Sequence, residues 1–243
     1  MIQKKTKTAK MTSIHLESVD EVYEEARELE PPLAPDYLSM EHHYSQLMYI
    51  HEAAIQLVTA RLNILKGEFR FCNDRNPISS ISSRIKSKES LFEKMQRKGL
   101  PMTFEAMTTG IQDIAGVRVA CPFIEDVYYV ARMLCRQKII ELVEVKDYIR
   151  HPKPNGYRSL HLIIKVDVDL ASKTLSVPVE VQIRTIAMDF WASTEHQLRY
   201  KKDRVFTEAD HAKLKECADL MAQADYKMQE IAGAFDLENV DSW

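Results

Sequence analysis

The residues with chemistry in them come in short polar rows. Across Val177–Thr185, read at the strand period of two, Val177, Val179, Val181 and Ile183 fall on one face, and Glu180, Gln182 and Arg184 on the other. The first face is wholly β-branched, as a buried sheet surface wants. The second offers an acid, an amide and a base about 7 Å apart from one to the next. A second row, Arg84, Lys86 and Lys88, alternates with Ile85 and Ser87. Asp113 stands at the entrance of a predicted strand, Ile111–Cys121, that carries Arg118 inside it. Tyr157, Ser159 and His161 share one face of a further predicted strand, and Lys146 and Lys153 precede it.

Two carboxylates on separate strands, Asp113 and Glu180, are a usual way to hold Mg²⁺, which takes one or two carboxylates plus substrate phosphates. Cations around such a site neutralise polyphosphate and the charge that develops during transfer. Tyr157, beside the Asn155-Gly156 turn, can stack on a base. The set points to phosphoryl-type transfer between two nucleotides. Each row alone has a plainer reading, a half-buried strand with a solvated face or a cationic edge strand that resists aggregation; their occurrence together shifts the balance toward chemistry.

Other chemistries are poorly served. With only six glycines and no G-x-x-x-x-G-K-[ST] or G-x-G-x-x-G, any phosphates are held by side chains. No Ser-His-Asp or Cys-His arrangement stands out. His51-Glu52 has no second histidine at the spacing of H-E-x-x-H.

The elements that must position these rows follow from periodicity and turn chemistry. Residues 1–35 begin basic, turn acidic and end in prolines, which reads as a mobile arm with a short helix at Val19–Leu29. From Asp36, a suitable N-cap, apolar residues at three- and four-residue steps predict a helix to about Phe71. Ile78–Lys88 is a strand, Glu89–Arg97 a helix, Ile111–Cys121 a strand, Glu125–Lys138 a helix and Ile139–Ile149 a strand. His151–Gly156 turns the chain into a strand Tyr157–Val168; the Val177–Thr185 strand and a helix Ile186–Tyr200 follow. The last element, Glu208–Ala234, places Leu214, Cys217, Ala218, Met221, Tyr226 or Met228, and Ile231 on one amphipathic face. The expected fold is α+β, a mixed five-stranded sheet flanked by four or five helices, long ones at both ends. The domain plan is an arm at 1–35, a catalytic domain at 36–204 and a C-terminal oligomerisation helix at 205–243.

Bulk properties agree. The 243 residues are 45% hydrophobic with net charge −3, enough for a core and without a global basic field. The four cysteines are scattered without a C-x-x-C pair and read as reduced packing residues. No apolar run reaches membrane-spanning length, so no membrane partner is expected and the location is cytoplasmic.

The sequence resembles the synthetase domain of RelA/SpoT homologues. The resemblance is carried by Arg84-Ile85-Lys86 with Ser90 and Lys94, by Gln112-Asp113-Ile114-Ala115-Gly116-Val117-Arg118, by Lys146-Asp147-Tyr148-Ile149 with Pro152 through His161, and by Glu180-Val181-Gln182-Ile183-Arg184-Thr185. It spans about residues 78 to 202 in unbroken order, and looks like a stand-alone small alarmone synthetase. None of the eight histidines is followed by aspartate, so the His-Asp hydrolase half is absent. The resemblance implies a fold related to nucleotidyltransferases and transfer of the β,γ-pyrophosphate of ATP to the ribose 3′-hydroxyl of GDP or GTP. It further implies that Arg84 and Arg118 sandwich adenine and that Lys86, Ser90 and Lys94 bind ATP phosphates. Asp113 would hold Mg²⁺, and Glu180 would share the metal or take the 3′-hydroxyl proton. Tyr157 would stack on guanine, with Lys146, Lys153, Asn155, Ser159, His161 and Gln182 around the acceptor. For Arg184 a role at the site and a structural ion pair stand level. His196, on a helix, has the weakest claim.

Similar synthetases assemble as homotetramers through terminal helices, which implies a homo-oligomer here; RNA stays open as a regulatory partner. Two competing functions are a pyrophosphotransferase acting on the 3′ end of tRNA and a nucleotide-binding protein without catalysis. The near-neutral charge and acidic arm speak against the first, and the full set of acids and cations against the second.

Overall fold

The computed structural model describes residues 35–72, 75–200 and 206–233. The arm and its Val19–Leu29 helix therefore lie outside the described residues. The chain divides into two units, Met1–His42 and His43–Trp243, and the second carries the sheet and the candidate site.

The first helix, α1 (Pro35–Cys72), starts one residue before the expected cap, so Asp36 lies inside it. A proline in the first turn costs a helix nothing, because that N–H has no intrahelical partner. Then come β1 (Ser80–Ile85), α2 (Lys88–Arg97), α3 (Phe104–Gly110), β2 (Ala115–Cys121), α4 (Ile124–Cys135), β3 (Glu141–Asp147), β4 (Leu160–Asp169), β5 (Thr174–Thr185), α5 (Ile186–Tyr200) and α6 (Glu208–Ala232).

The strands form one mixed sheet in the order β1-β2-β5-β4-β3. Only β2 and β5 run parallel; the other pairs are antiparallel. The fold is thus the expected α+β arrangement. On β5, Val177, Val179, Val181 and Ile183 are buried, and they join Val117 and Val119 of β2 and Leu160, Leu162 and Ile164 of β4 in one core. Ala54, Val58, Leu62 and Phe69 of α1 and Val127, Val130 and Leu134 of α4 complete that core. The period of two leaves the opposite face of the sheet to the polar rows.

Several expectations need correction. β1 stops at Ile85, so Arg84, Lys86 and Lys88 do not form one strand row. Ser87 leaves the sheet to cap α2, its hydroxyl accepting the Ser90 N–H at 3.3 Å. Lys88 is consequently the first residue of α2, with its Nζ 5.6 Å from the centre of the Tyr44 ring. The seven-residue α3, capped by Thr103, was not expected from the pattern, since Thr108, Thr109 and Gly110 are poor helix formers. β4 begins at Leu160, which leaves Tyr157 and Ser159 in the preceding turn.

The C-terminal helix docks by a different stripe from the hydrophobic one. Ala218, Ala222, Asp225 and Gln229 are its buried residues, whereas Cys217 is exposed and Tyr226, Met228 and Ile231 are 43%, 52% and 82% exposed. Small residues are needed there because α6 passes close to the Asn155-Gly156 turn: a Cβ on Gly156 would sit 2.5 Å from Ala218 Cβ. No helix among the described residues is long and apolar enough to cross a membrane.

Candidate active site

Register alone assembles most of the predicted residues. On the polar face, Ser82, Arg118, Gln182, His161 and Lys146 are successive partners across all five strands. The neighbouring row runs Arg84, Gly116, Glu180, Ile163 and Glu144. Glu180 and Gln182 are therefore central, with arginines toward β1 and the histidine and lysine toward β3.

On the β1 side, Asp113 precedes β2 and accepts two ammonium groups on one oxygen: Lys86 at 3.0 Å and Lys94 at 2.5 Å from Oδ2. Burial works against its charge, but the hydrogen bonds from Lys94 and Lys86 outweigh burial and hold the carboxyl below the ordinary range. Its other oxygen, Oδ1, is buried without a hydrogen-bond partner among the described residues. Arg118 lies half-buried on β2, between Ser82 and Gln182 in register. Burial, then the like charges of Arg184 and Arg84, lowers its proton affinity, and its Nε has no partner among the described residues. The Arg84 side chain lies along Gly116: a Cβ there would meet Arg84 Cγ at 3.5 Å. Ser90, in the first turn of α2, accepts from Ser87 Oγ at 3.2 Å.

On the other side, Glu180 Oε1 lies 2.9 Å from His161 Nδ1 and Oε2 accepts Gln182 Nε2 at 2.7 Å. Burial alone would raise its pKa; the bond from His161 and the bond from Gln182 bring it below the usual carboxylate value, against the repulsion of Asp113. Burial likewise pushes His161 below the usual imidazole value despite the pull of Glu180, and a carboxylate can only accept, so Nδ1–H is the donor between them. Tyr157 Oη lies 2.8 Å from His161 Nε2.

The turn before β4 is held from three directions. Asp147 Oδ1 accepts the N–H groups of Ile149 and Arg150, while its Oδ2 accepts the Tyr128 hydroxyl at 2.9 Å. Asn155 Oδ1 accepts Tyr157 N–H at 3.2 Å, and Gly156 takes a positive φ of 88° that only glycine adopts cheaply. Lys153 Nζ lies 4.5 Å and 4.9 Å from the ring centres of Tyr148 and Tyr157. Lys146 pairs with Glu144 at 2.9 Å.

The structure thus brings together Arg84, Lys86, Lys94, Asp113 and Arg118 on one flank, and Lys153, Asn155, Tyr157, Ser159, His161 and Gln182 on the other. Lys146 stands opposite His161 on the second flank, and Ser90 lies on α2 with Lys94. His196 is exposed on α5, away from the packed interior that its type suggests. Sequence reasoning passed over Tyr148, whose ring stands edge-on to His161 at 5.2 Å, and Asp189, which binds Arg184 at 3.1 Å. A carboxylate in the first turn of the helix directly after the Arg184 strand was the available signal for Asp189.

The donors suit a small hard cation. Asp113 Oδ1 keeps both lone pairs, and each Glu180 oxygen keeps one. Among the described residues no three His, Cys, Asp or Glu side chains gather. Mg²⁺ needs only one or two carboxylates when phosphates and water supply the rest.

The model of a region found in RelA and SpoT proteins matches residues 83–205, half of the chain and every candidate site residue from Arg84 to Gln182. This chain belongs to the RelA/SpoT family. It is 43% identical to the GTP pyrophosphokinase YwaC of Bacillus subtilis (strain 168) over 74% of its own length and 86% of that protein's. Among solved structures it is similar to the small alarmone synthetase 1 of Bacillus subtilis bound to its product pppGpp, at 33% identity and TM-score 0.73, over 78% of this chain and 96% of that one. The same synthetase bound to AMPCPP matches at 29% identity and TM-score 0.67, over 78% and 95% of the two chains. These RelA/SpoT relatives carry the same nucleotidyltransferase-like sheet with its flanking helices.

Proposed function

We infer that this chain is a GTP pyrophosphokinase that moves the β,γ-pyrophosphate of ATP to the ribose 3′-hydroxyl of GDP or GTP, releasing AMP and making ppGpp or pppGpp. Its similarity to a GTP pyrophosphokinase and to a synthetase bound to pppGpp supports this. The structural observation that carries the reading is Glu180 at the centre of the polar face, with separate cation groups on its two flanks.

Arg84 and Arg118 take the adenine between guanidinium planes. Lys86, Ser90 and Lys94 take the phosphates; an incoming polyphosphate competes with Asp113 Oδ2 for the two lysines. Tyr157 takes the guanine ring, and Lys146, Lys153, Asn155, Ser159, His161 and Gln182 surround the acceptor. The 3′-oxygen bonds to the β-phosphorus as its bond to the bridging oxygen of AMP breaks, and the 3′-hydroxyl proton leaves toward Glu180. Asp113 and Glu180 would hold Mg²⁺, which would supply charge neutralisation at the transferred group.

The product belongs to stringent-response signalling in the cytoplasm. The outward apolar residues Leu220, Met228 and Ile231 of α6 and Phe190 of α5 suit a homotetramer, which light scattering on the purified protein tests. The function is tested by incubating the protein with Mg²⁺, labelled ATP and GDP, GTP or tRNA. Label on the guanine nucleotides supports it; label on tRNA alone refutes it.

A further inference from the structure

Arg184 is 4% exposed, and every nitrogen of its guanidinium is engaged. Nε donates to Ser159 Oγ at 3.3 Å and Nη1 to Asp189 Oδ1 at 3.1 Å. Nη2 donates to both Tyr157 Oη and Gln182 Oε1 at 2.6 Å. A guanidinium has no acceptor atom, so the direction of each bond is fixed.

Those directions propagate. Tyr157 Oη accepts from Arg184, which leaves its proton for His161 Nε2. His161 then carries its proton on Nδ1 and donates it to Glu180 Oε1. If the ring is doubly protonated, Tyr157 Oη can accept from both neighbours and the Nδ1 donor is unchanged. Along the second path, Gln182 must turn its carbonyl to Arg184, and its amide nitrogen is thereby aimed at Glu180 Oε2. The opposite amide orientation would set N–H against guanidinium and carbonyl against carboxylate. Both oxygens of Glu180 thus receive one N–H each, along two chains rooted in the same arginine.

We propose that Arg184 is a positioning residue for Glu180: through Tyr157–His161 and through Gln182 it fixes the carboxylate plane and leaves one acceptor position open on each oxygen. This rests on Glu180 being the carboxylate of pyrophosphate transfer. Arg184 itself is anchored to α5 by Asp189, so the geometry is set by the β5–α5 junction. Its Cζ, 5.3 Å from the Tyr157 ring centre, also packs against that ring, which keeps the chain compact.

The experiment is a double-mutant cycle with a spectroscopic arm. Tyr157→Phe keeps the ring and removes one link; its kcat should fall about three- to tenfold, the worth of one hydrogen bond, with the KM for GDP little changed. Arg184→Ala removes both chains and should cost more. Adding Tyr157→Phe to Arg184→Ala should cost less than about twofold further, because the link is already lost. Where Arg184→Ala does not fold, Arg184→Lys, with one ammonium for two acceptors, replaces it in the cycle. Ring ¹⁵N resonances of His161, identified by their loss in His161→Gln, should show a protonated Nδ1 in the wild-type protein. Fully multiplicative losses, losses confined to KM, or a ring protonated on Nε2 alone would overturn the proposal. A wild-type protein that makes no alarmone would refute the proposed function instead, while the ring resonances would still test the hydrogen-bond directions.

Discussion

Gly116 on β2 stands directly opposite Glu180 on β5 in the only parallel pair of the sheet. A Cβ on the β2 residue would meet Arg84, whose Cγ, carbonyl O and Nε lie 3.5, 3.6 and 3.7 Å from that position. A methyl there would make ordinary contacts of 3.5–3.7 Å, so Gly116→Ala should fold with little loss of stability. Gly116→Val should instead push Arg84 aside and raise the KM for ATP severalfold with less effect on GDP. Equal effects of valine on both nucleotides would contradict this.

Lys86 and Lys88 are two residues apart and should behave differently. Lys86 reaches Asp113, whereas Lys88 has turned into α2 over the Tyr44 ring. Lys86→Ala should raise the apparent KM for ATP and lower kcat, and Lys88→Ala should leave both within about twofold, as for a surface cation over an aromatic ring. Similar losses from the two variants would indicate a diffuse basic patch.

Asp225 gives the protein a pH-dependent joint. It is buried on α6, accepts the Thr185 hydroxyl at 2.6 Å, and burial pushes its carboxyl up to about 6 despite that bond and the nearby Arg158. The folded state binds this proton more tightly than the unfolded chain, whose aspartates titrate near 3.8. Its contribution to stability is therefore fully present below the unfolded value and falls as pH rises through about 4 to 6. Asp225→Asn keeps an acceptor for Thr185 and cannot ionise. It should be more stable than wild type at pH 7.5, by on the order of 1–3 kcal/mol, with the gap closing toward pH 4. Urea unfolding at the two pH values measures it; a gap independent of pH would rule out ionised Asp225 as its source.

The β5 row was legible in the sequence because strict alternation over Val177–Arg184 separates an apolar face from a polar one, although Gln182 and Arg184 on the polar face are buried as well. The same period misled at Lys88, because nothing in an alternating pattern signals that Ser87 caps a helix. It also extended β4 back to Tyr157, although Tyr157, Ser159 and His161 still converge, now through hydrogen bonds and the turn. The α6 stripe was misread for another reason. Hydrophobicity marks the large residues, but close approach to Gly156 selects Ala218 and Ala222, and polar pairing selects Asp225 and Gln229, whose Oε1 accepts the Glu125 N–H at 3.0 Å. The hydrogen bonds of Arg184 could not be read from β5 alone, since apart from Gln182 its partners come from the segment before β4 and from α5.

In the proposed reaction the β- and γ-phosphates of ATP move together to the acceptor under the action of Glu180. ATP labelled separately at its β- and γ-phosphates, incubated with Mg²⁺ and GDP, tests it most directly. Both labels should appear in equal amounts on the guanosine 3′ position, with one unlabelled AMP per product, and Glu180→Gln should lower the rate by on the order of 10²–10⁴ with the fold intact. Transfer of the γ-label alone, or a Glu180→Gln protein that keeps more than about a tenth of the wild-type rate, would contradict it.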